Sequence, residues 1–322
     1  MEDEHQHEHT LGRRQCLERF CLGAAGLALG ATSVRGTEEE HRMKIALFSG
    51  MFKKLPLKTA MEHAGRIGYD GIEVMVGFGA DHLDVDCPPA QATEIGRMAR
   101  DHNLDVCLIY TTLGGNVLAG DRARRQGLDD VARFLAIGDS MSCKMLKVTA
   151  GRLKKSAYRQ DKARVVADWL AQACDRAAKH DARIVTEIHF GQYCETVDMA
   201  WRMIALVDRP NFGVIHDAGN LHITGDDYGE NSVKRLGDRI LHVHIKDMVR
   251  APADDPAAHD YPAGRFKRAL LNEGDVDHRS LFRALRRARY DGYLSCEASG
   301  DDDPVAVARH EFDEMQRLLR GA

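Results

Sequence analysis

The chain has 322 residues, 44% hydrophobic and 29% charged, a mixture that excludes a disordered chain and a disulfide-stapled mini-protein. Its formal net charge of −4 provides no positive field to gather nucleic acid. No apolar run reaches the ~18–20 residues of a membrane-spanning helix, and the eight cysteines form no Cys-x-x-Cys pair of a zinc ribbon or redox motif.

Residues 1–36 stand apart. An acidic, His-rich start reads as a solvated tail, including His5, His7 and His9. Arg13 and Arg14 follow, then an uncharged run of Ala, Gly and Leu from Phe20 to Val34. A basic start, a short apolar stretch and small residues near 28–33 read as an export signal. The paired arginines and weak hydrophobicity resemble a twin-arginine (Tat) signal, with Cys16 where that motif usually has Phe and Glu18 where it often has Lys. The expectation is export to the periplasm by the Tat machinery, with a cytoplasmic protein as the alternative. Six cysteines remain beyond this segment, several inside predicted elements, where Cys acts as a small buried hydrophobe.

From residue 43 onward, short apolar runs alternate with stretches of helical spacing. Strands are predicted at 43–48, 72–76, 104–110, 144–149, 183–188, 212–216, 240–245 and 293–296. Helices are predicted at 57–67, 88–102, 121–141, 158–180, 197–207, 232–238, 278–289 and 304–319. Eight strands alternating with eight helices over ~280 residues is the pattern of a single-domain α/β (β/α)8 barrel spanning 43–322. The rival, a doubly wound sheet, needs a Gly-rich turn after an early strand, and Ser49-Gly50-Met51-Phe52 does not supply one. Residues 249–273, rich in Pro, Asp and Ala, read as an irregular loop on the face where barrels carry function.

In such a barrel the carboxyl ends of the strands ring the active site. Four successive strands end in metal-capable residues: Glu187, then Asp217, then His242 and His244, then Glu297. Three carboxylates buried together without a cation would cost many kcal/mol or be forced to protonate, so the pattern points to a bound metal. Strand parity puts His242 and His244 on one face, with His244 nearer the carboxyl end and His242 one layer deeper. Parity also sets His189 above Glu187 as a substrate contact and turns His216 and Cys296 outward.

Several segments together carry a resemblance to a known family. They are Gly-Tyr-Asp-Gly-Ile-Glu (68–73), Thr-Glu-Ile-His (186–189), Asp-Ala-Gly-Asn (217–220), His-Val-His-Ile-Lys-Asp (242–247), Glu-Gly-Asp-Val-Asp (273–277) and Tyr-Asp-Gly-Tyr-Leu-Ser-Cys-Glu (290–297). In order and spacing the chain resembles the xylose isomerase-like TIM barrel superfamily, in particular its sugar phosphate isomerase/epimerase branch. That branch includes ketose 3-epimerases, hydroxypyruvate isomerase and inosose dehydratase. The resemblance implies that Glu187, Asp217, His244 and Glu297 ligate a metal and that Glu187 and Glu297 are the acid–base pair. It further implies substrate contacts from Lys246, from Arg250, six residues after His244, and from the recurrent glutamate Glu73. Asn220 stands where the family often has His; it can bond a hydroxyl but cannot shuttle a proton.

One imidazole among three carboxylates suits one divalent ion, Mn²⁺ first, with Mg²⁺, Co²⁺ and Zn²⁺ also compatible. The expected function is a metal-dependent isomerase or epimerase working through an enediolate on an unphosphorylated sugar or inositol-like substrate. Loss of a β-hydroxyl or glycosidic oxygen from the same species would instead make a dehydratase or lyase acting on inososes or keto-glycosides. A non-catalytic sugar-binding protein of the envelope is a further alternative. A phosphodiesterase is disfavoured, since its three-metal cluster needs more histidines and a basic face. The expected partner is a small carbohydrate, with no nucleic acid and no membrane anchor; a homo-oligomer is compatible with the family.

Overall fold

The computed structural model describes residues 42–77, 82–153, 158–298 and 303–322, and the export-like segment at 1–36 lies outside them. The chain alternates β1 (Lys44–Phe48), α1 (Leu57–Ile67), β2 (Gly71–Met75), α2 (Pro89–Asp101), β3 (Asp105–Tyr110), α3 (Asp121–Met141), β4 (Met145–Val148), α4 (Gln160–Ala177), β5 (Arg183–Glu187) and α5 (Val197–Val207). It continues through β6 (Phe212–Asp217), α6 (Ala218–Thr224), α7 (Glu230–Leu236) and β7 (Ile240–Ile245). An excursion follows, made of β8 (Asp247–Arg250), β9 (His259–Tyr261) and β10 (Gly264–Ala269). Then come α8 (His278–Arg287), β11 (Tyr293–Cys296) and α9 (Pro304–Gly321). Eight of these strands pair in parallel and close as β1-β11-β7-β6-β5-β4-β3-β2, the (β/α)8 barrel that the alternation predicts.

Local chemistry explains the elements. In α1 the buried side is Leu57, Ala60, Met61, Ala64 and Ile67, one face at helical spacing. It stops at Gly68, whose φ of 113° suits a residue without Cβ. Thr196, Asp277 and Asp303 cap α5, α8 and α9 by accepting backbone N–H bonds. The repeated Tyr-Asp-Gly turn serves two ends. Tyr69 donates to Ala308 O and packs on Phe312 of α9, while Tyr290 donates to Tyr293 O. The main core lies between strands and helices. A second cluster, Phe48, Met75, Leu108, Tyr110, Val185 and Ile215, fills the barrel interior and floors the site.

Two features depart from expectation. The stretch 249–273 is not irregular: β8, β10 and β9 form an antiparallel sheet, with Arg268 beside Met248 and Phe266 beside Arg250. Asp247 anchors its base, accepting the backbone N–H groups of Met248, Asn272, Gly274 and Val276. A Cβ on Gly274 would stand 2.2 Å from Asp247 Oδ1, so this close approach needs glycine. The second feature is α6, a short helix directly after Asp217 that the sequence pattern does not signal. Among the described residues the cysteines are unpaired thiols, and no helix is long and apolar enough to cross a membrane.

Candidate metal centre

Glu187, Asp217, His244 and Glu297 close on one point at the carboxyl end of the barrel. Each offers a ligand atom, all within 4.8 Å of one another, and Glu187, Asp217 and His244 are fully buried. Strand register brings them there, since Asp217 pairs with His244 and the Glu297 N–H continues the β11–β7 ladder to Ile245 O.

Each ligand is held by a different device. Asp217 caps α6 through Oδ1, which accepts from Asn220 N at 2.8 Å, and its Oδ2 lies 2.9 Å from the Lys246 ammonium. Helix capping and metal binding thus use different oxygens of one carboxylate. Glu187 Oε2 accepts from Tyr110 Oη at 2.8 Å and lies 3.7 Å from Lys147 Nζ. Its Oε1 accepts from Asn220 Nδ2 at 2.9 Å. Glu297 Oε1 accepts from Arg268 at 2.9 Å, while Oε2 faces His244 Nδ1 at 3.2 Å. Glu73, fully buried beneath, accepts from His242 Nε2 at 3.0 Å and from His244 Nε2 at 3.2 Å. This orients the His244 ring and directs Nδ1 at the cluster, as a carboxylate behind a ligating histidine does.

The electrostatics demand a cation. Burial and the neighbouring Glu297 and Glu187 lift the Asp217 carboxyl to about 6, although Lys246 opposes them. Burial alone would raise Glu187 and Glu297, yet the adjacent cations hold both well below the carboxylate range; His189, His244 and Lys246 act on Glu187, and Lys246, Arg268 and His244 on Glu297. Burial would lower His244, but Glu73, Glu187 and Glu297 hold it well above its ordinary value. Burial also opposes ionisation of Glu73, yet His244 and His242 bring it down to about 2. Asp217 Oδ2, 2.9 Å from the Lys246 ammonium, and His244 Nδ1, 3.2 Å from Glu297 Oε2, face one centre rich in anionic oxygen. Oxygen donors with one imidazole are the donor chemistry of a divalent metal, and the residues fit it.

The expected substrate contacts divide. His189 is part-buried after β5, its Nδ1 2.7 Å from Phe190 O, and Lys246 Nζ lies among the carboxylates. Asn220 is committed to Glu187 and to Ile188 O, so it positions a ligand. Glu73 likewise braces histidines from beneath rather than facing the mouth. Arg250 is turned away, exposed, donating to Ala263 O with its guanidinium over Phe266. Arg268, not Arg250, is the arginine at the carboxylate cluster, donating to Glu297 Oε1. His216 bonds Ser232 of α7 and Cys296 faces Glu311 of α9, both outward as parity requires. Strand-end reasoning missed Tyr110, Lys147 and Arg268. Tyr110 ends β3 and Lys147 is the next-to-last residue of β4, but both lie within apolar runs that read as core.

The family model described as xylose isomerase-like TIM barrel matches residues 61–318. An inosose dehydratase of Lacticaseibacillus casei is 27% identical over 162 residues, 49% of this chain and 53% of that protein. One of Geobacillus thermodenitrificans is 28% identical over 166 residues, 49% of this chain and 54% of that protein. The chain thus spans about half the length of the curated relatives it matches. Among solved structures, the probable 3-DHS dehydratase AsbF of Bacillus anthracis superposes with a TM-score of 0.71 at 20% identity, over 85% of this chain and 99% of that one. The IOLI protein with a bound zinc atom superposes with a TM-score of 0.72 at 16% identity, over 86% of this chain and 98% of that one. At these identities the likeness is one of fold.

Proposed function

The chain belongs to the xylose isomerase-like TIM barrel family, and from that premise we propose that it is a divalent-metal-dependent dehydratase acting on a small, unphosphorylated, polyhydroxylated carbonyl compound of the inosose class. The observation that carries this reading is the closure of Glu187, Asp217, His244 and Glu297 on one point with the Lys246 ammonium beside them. The inosose dehydratases that the chain resembles support the choice of dehydratase.

A divalent ion held by those four residues, Mn²⁺ first and Mg²⁺, Co²⁺ or Zn²⁺ otherwise, would supply Lewis-acid polarisation of the substrate carbonyl. Glu187 takes the proton from the carbon next to that carbonyl. Tyr110 and Asn220 hold the carboxylate for this task from opposite oxygens. The β-hydroxyl leaves as water with a proton from Lys246, and His189 contacts a substrate hydroxyl. Arg268 fixes one oxygen of Glu297 and so sets the direction of the other.

A second reading, isomerase or epimerase, is favoured by the presence of two glutamates at one centre, since Glu297 could return the proton that Glu187 removes. Metal-loaded protein incubated with inososes, ketoses and keto-glycosides in D₂O and followed by NMR separates these readings. Loss of water from an inosose is the expected result. Solvent deuterium in an unchanged molecular formula would replace it with the isomerase reading, and no turnover of any of them would overturn both.

Export through residues 1–36 belongs to the same proposal. Arg13→Lys with Arg14→Lys should retain the protein in the cytoplasm on cell fractionation, and an unchanged distribution refutes it.

A further inference from the structure

Lys246 is the first residue after β7, and its side chain is buried. Its Nζ lies 2.9 Å from Asp217 Oδ2, 3.0 Å from Glu297 Oε2 and 3.8 Å from Glu187 Oε1. These are oxygens of the carboxylates that would ligate a metal. The stem reaches them by passing the first turn of α6, where Gly219 leaves room for it. A Cβ there would stand 2.6 Å from Lys246 Cγ and 2.9 Å from Lys246 O.

Metal–oxygen bonds to carboxylates run at roughly 2.0–2.2 Å. An ion at that distance from Asp217 Oδ2 and Glu297 Oε2 would lie within about 5 Å of Nζ as the structure places it. Two cations at that separation repel strongly in a buried site. The ammonium and the ion therefore exclude each other from the same oxygens.

We propose that Lys246 is a built-in counter-ion that competes with the divalent metal for the carboxylate cluster, so that metal uptake requires its ammonium to swing away from Asp217 and Glu297. This rests on the reading that the cluster holds a divalent metal. The lysine then sets the metal affinity of the site and neutralises three clustered carboxylates when metal is scarce. The swing also frees a protonated amine, on the open side of the barrel, for the substrate.

The test compares the full-length chain with Lys246→Met, both stripped by a chelator and titrated with Mn²⁺ by calorimetry at one pH. The variant should bind Mn²⁺ about tenfold tighter or more, because a nearby like charge is removed. Its thermal midpoint should fall below wild type when stripped and match it when loaded. Equal affinities with equal stripped midpoints overturn the proposal, as does weaker binding by the variant. Absence of stoichiometric Mn²⁺, Mg²⁺, Co²⁺ or Zn²⁺ binding by both proteins overturns the metal reading instead. A variant that folds only with metal supports the proposal. If the variant folds under neither condition, acylation of Lys246 in the wild type, followed by mass spectrometry, decides. Saturating Mn²⁺ should raise the labelling rate several-fold, and an unchanged or slower rate overturns the proposal.

Discussion

Glu73 lies behind His244, accepting its Nε2–H at 3.2 Å while His244 Nδ1 faces Glu297 3.2 Å away on the other side. The histidine is therefore held between a carboxylate that fixes its tautomer and a carboxylate that shares its ligand task. Removing the rear partner should loosen the ring without touching a ligand. Glu73→Gln should lower metal affinity about 10–100-fold, measured by calorimetry on folded protein. Unchanged affinity would show that the ring is held by packing on Phe48 and Tyr110 alone.

Glu187 is the proposed base, and Glu297 joins it as a proton-handling group only in the isomerase reading. Glu187→Gln should reduce turnover by about 10²–10⁴-fold, the usual contribution of a positioned acid or base. Glu297→Gln should fall equally far in the isomerase reading, but less in the dehydratase reading, where its task is ligation alone. Circular dichroism should show the barrel intact in both. Near-normal activity in both variants would remove the mechanism.

Much of this centre was legible because its signals are local. Glu187, Asp217, His244 and Glu297 each lie at or beside the carboxyl end of a short apolar strand, and period-two alternation decides which way each points. The outward turn of His216 and Cys296 followed from the same parity. What escaped depended on contacts distant in sequence. Arg268 reaches Glu297 only because β10 folds back antiparallel on β8, bringing it beside Met248, close to the end of β7. Arg250 sits farther out along β8, so six-residue spacing after His244 leads away from the site. The strands of this excursion are three to six residues long and nearly half charged, too short for alternation to register. Glu73 was legible as a strand residue, but its pairing with two histidines across the barrel was not.

Replacing Arg268 tests that rearrangement directly. Arg268→Met removes the guanidinium that binds Glu297 Oε1 and its backbone carbonyl. A hydrogen bond to a charged group contributes about 1.5–3 kcal/mol, so kcat should fall about 10–100-fold with a smaller change in KM. Arg250→Met, at an exposed site, should change stability by less than about 0.5 kcal/mol and leave kcat close to wild type. The reverse ranking would restore Arg250 as the functional arginine.

Glu311 of α9 is buried outside the barrel, where Oε1 accepts from Leu271 N at 3.0 Å and Oε2 faces the Cys296 thiol. Burial pushes its carboxyl up from 4.5 to about 7, although the Leu271 N–H and His310 oppose the shift. Between these values the folded chain binds more protons than the unfolded chain, so stability declines as pH rises through that window. Below it both states are protonated, and above it the loss is complete. Glu311→Gln keeps an acceptor for Leu271 but cannot ionise. The variant should therefore gain about 1–3 kcal/mol on wild type at pH 8 and show little difference at pH 4. Denaturant unfolding of both proteins from pH 4 to pH 8 measures the gap. A gap that stays constant across that range would mean that Glu311 does not titrate there.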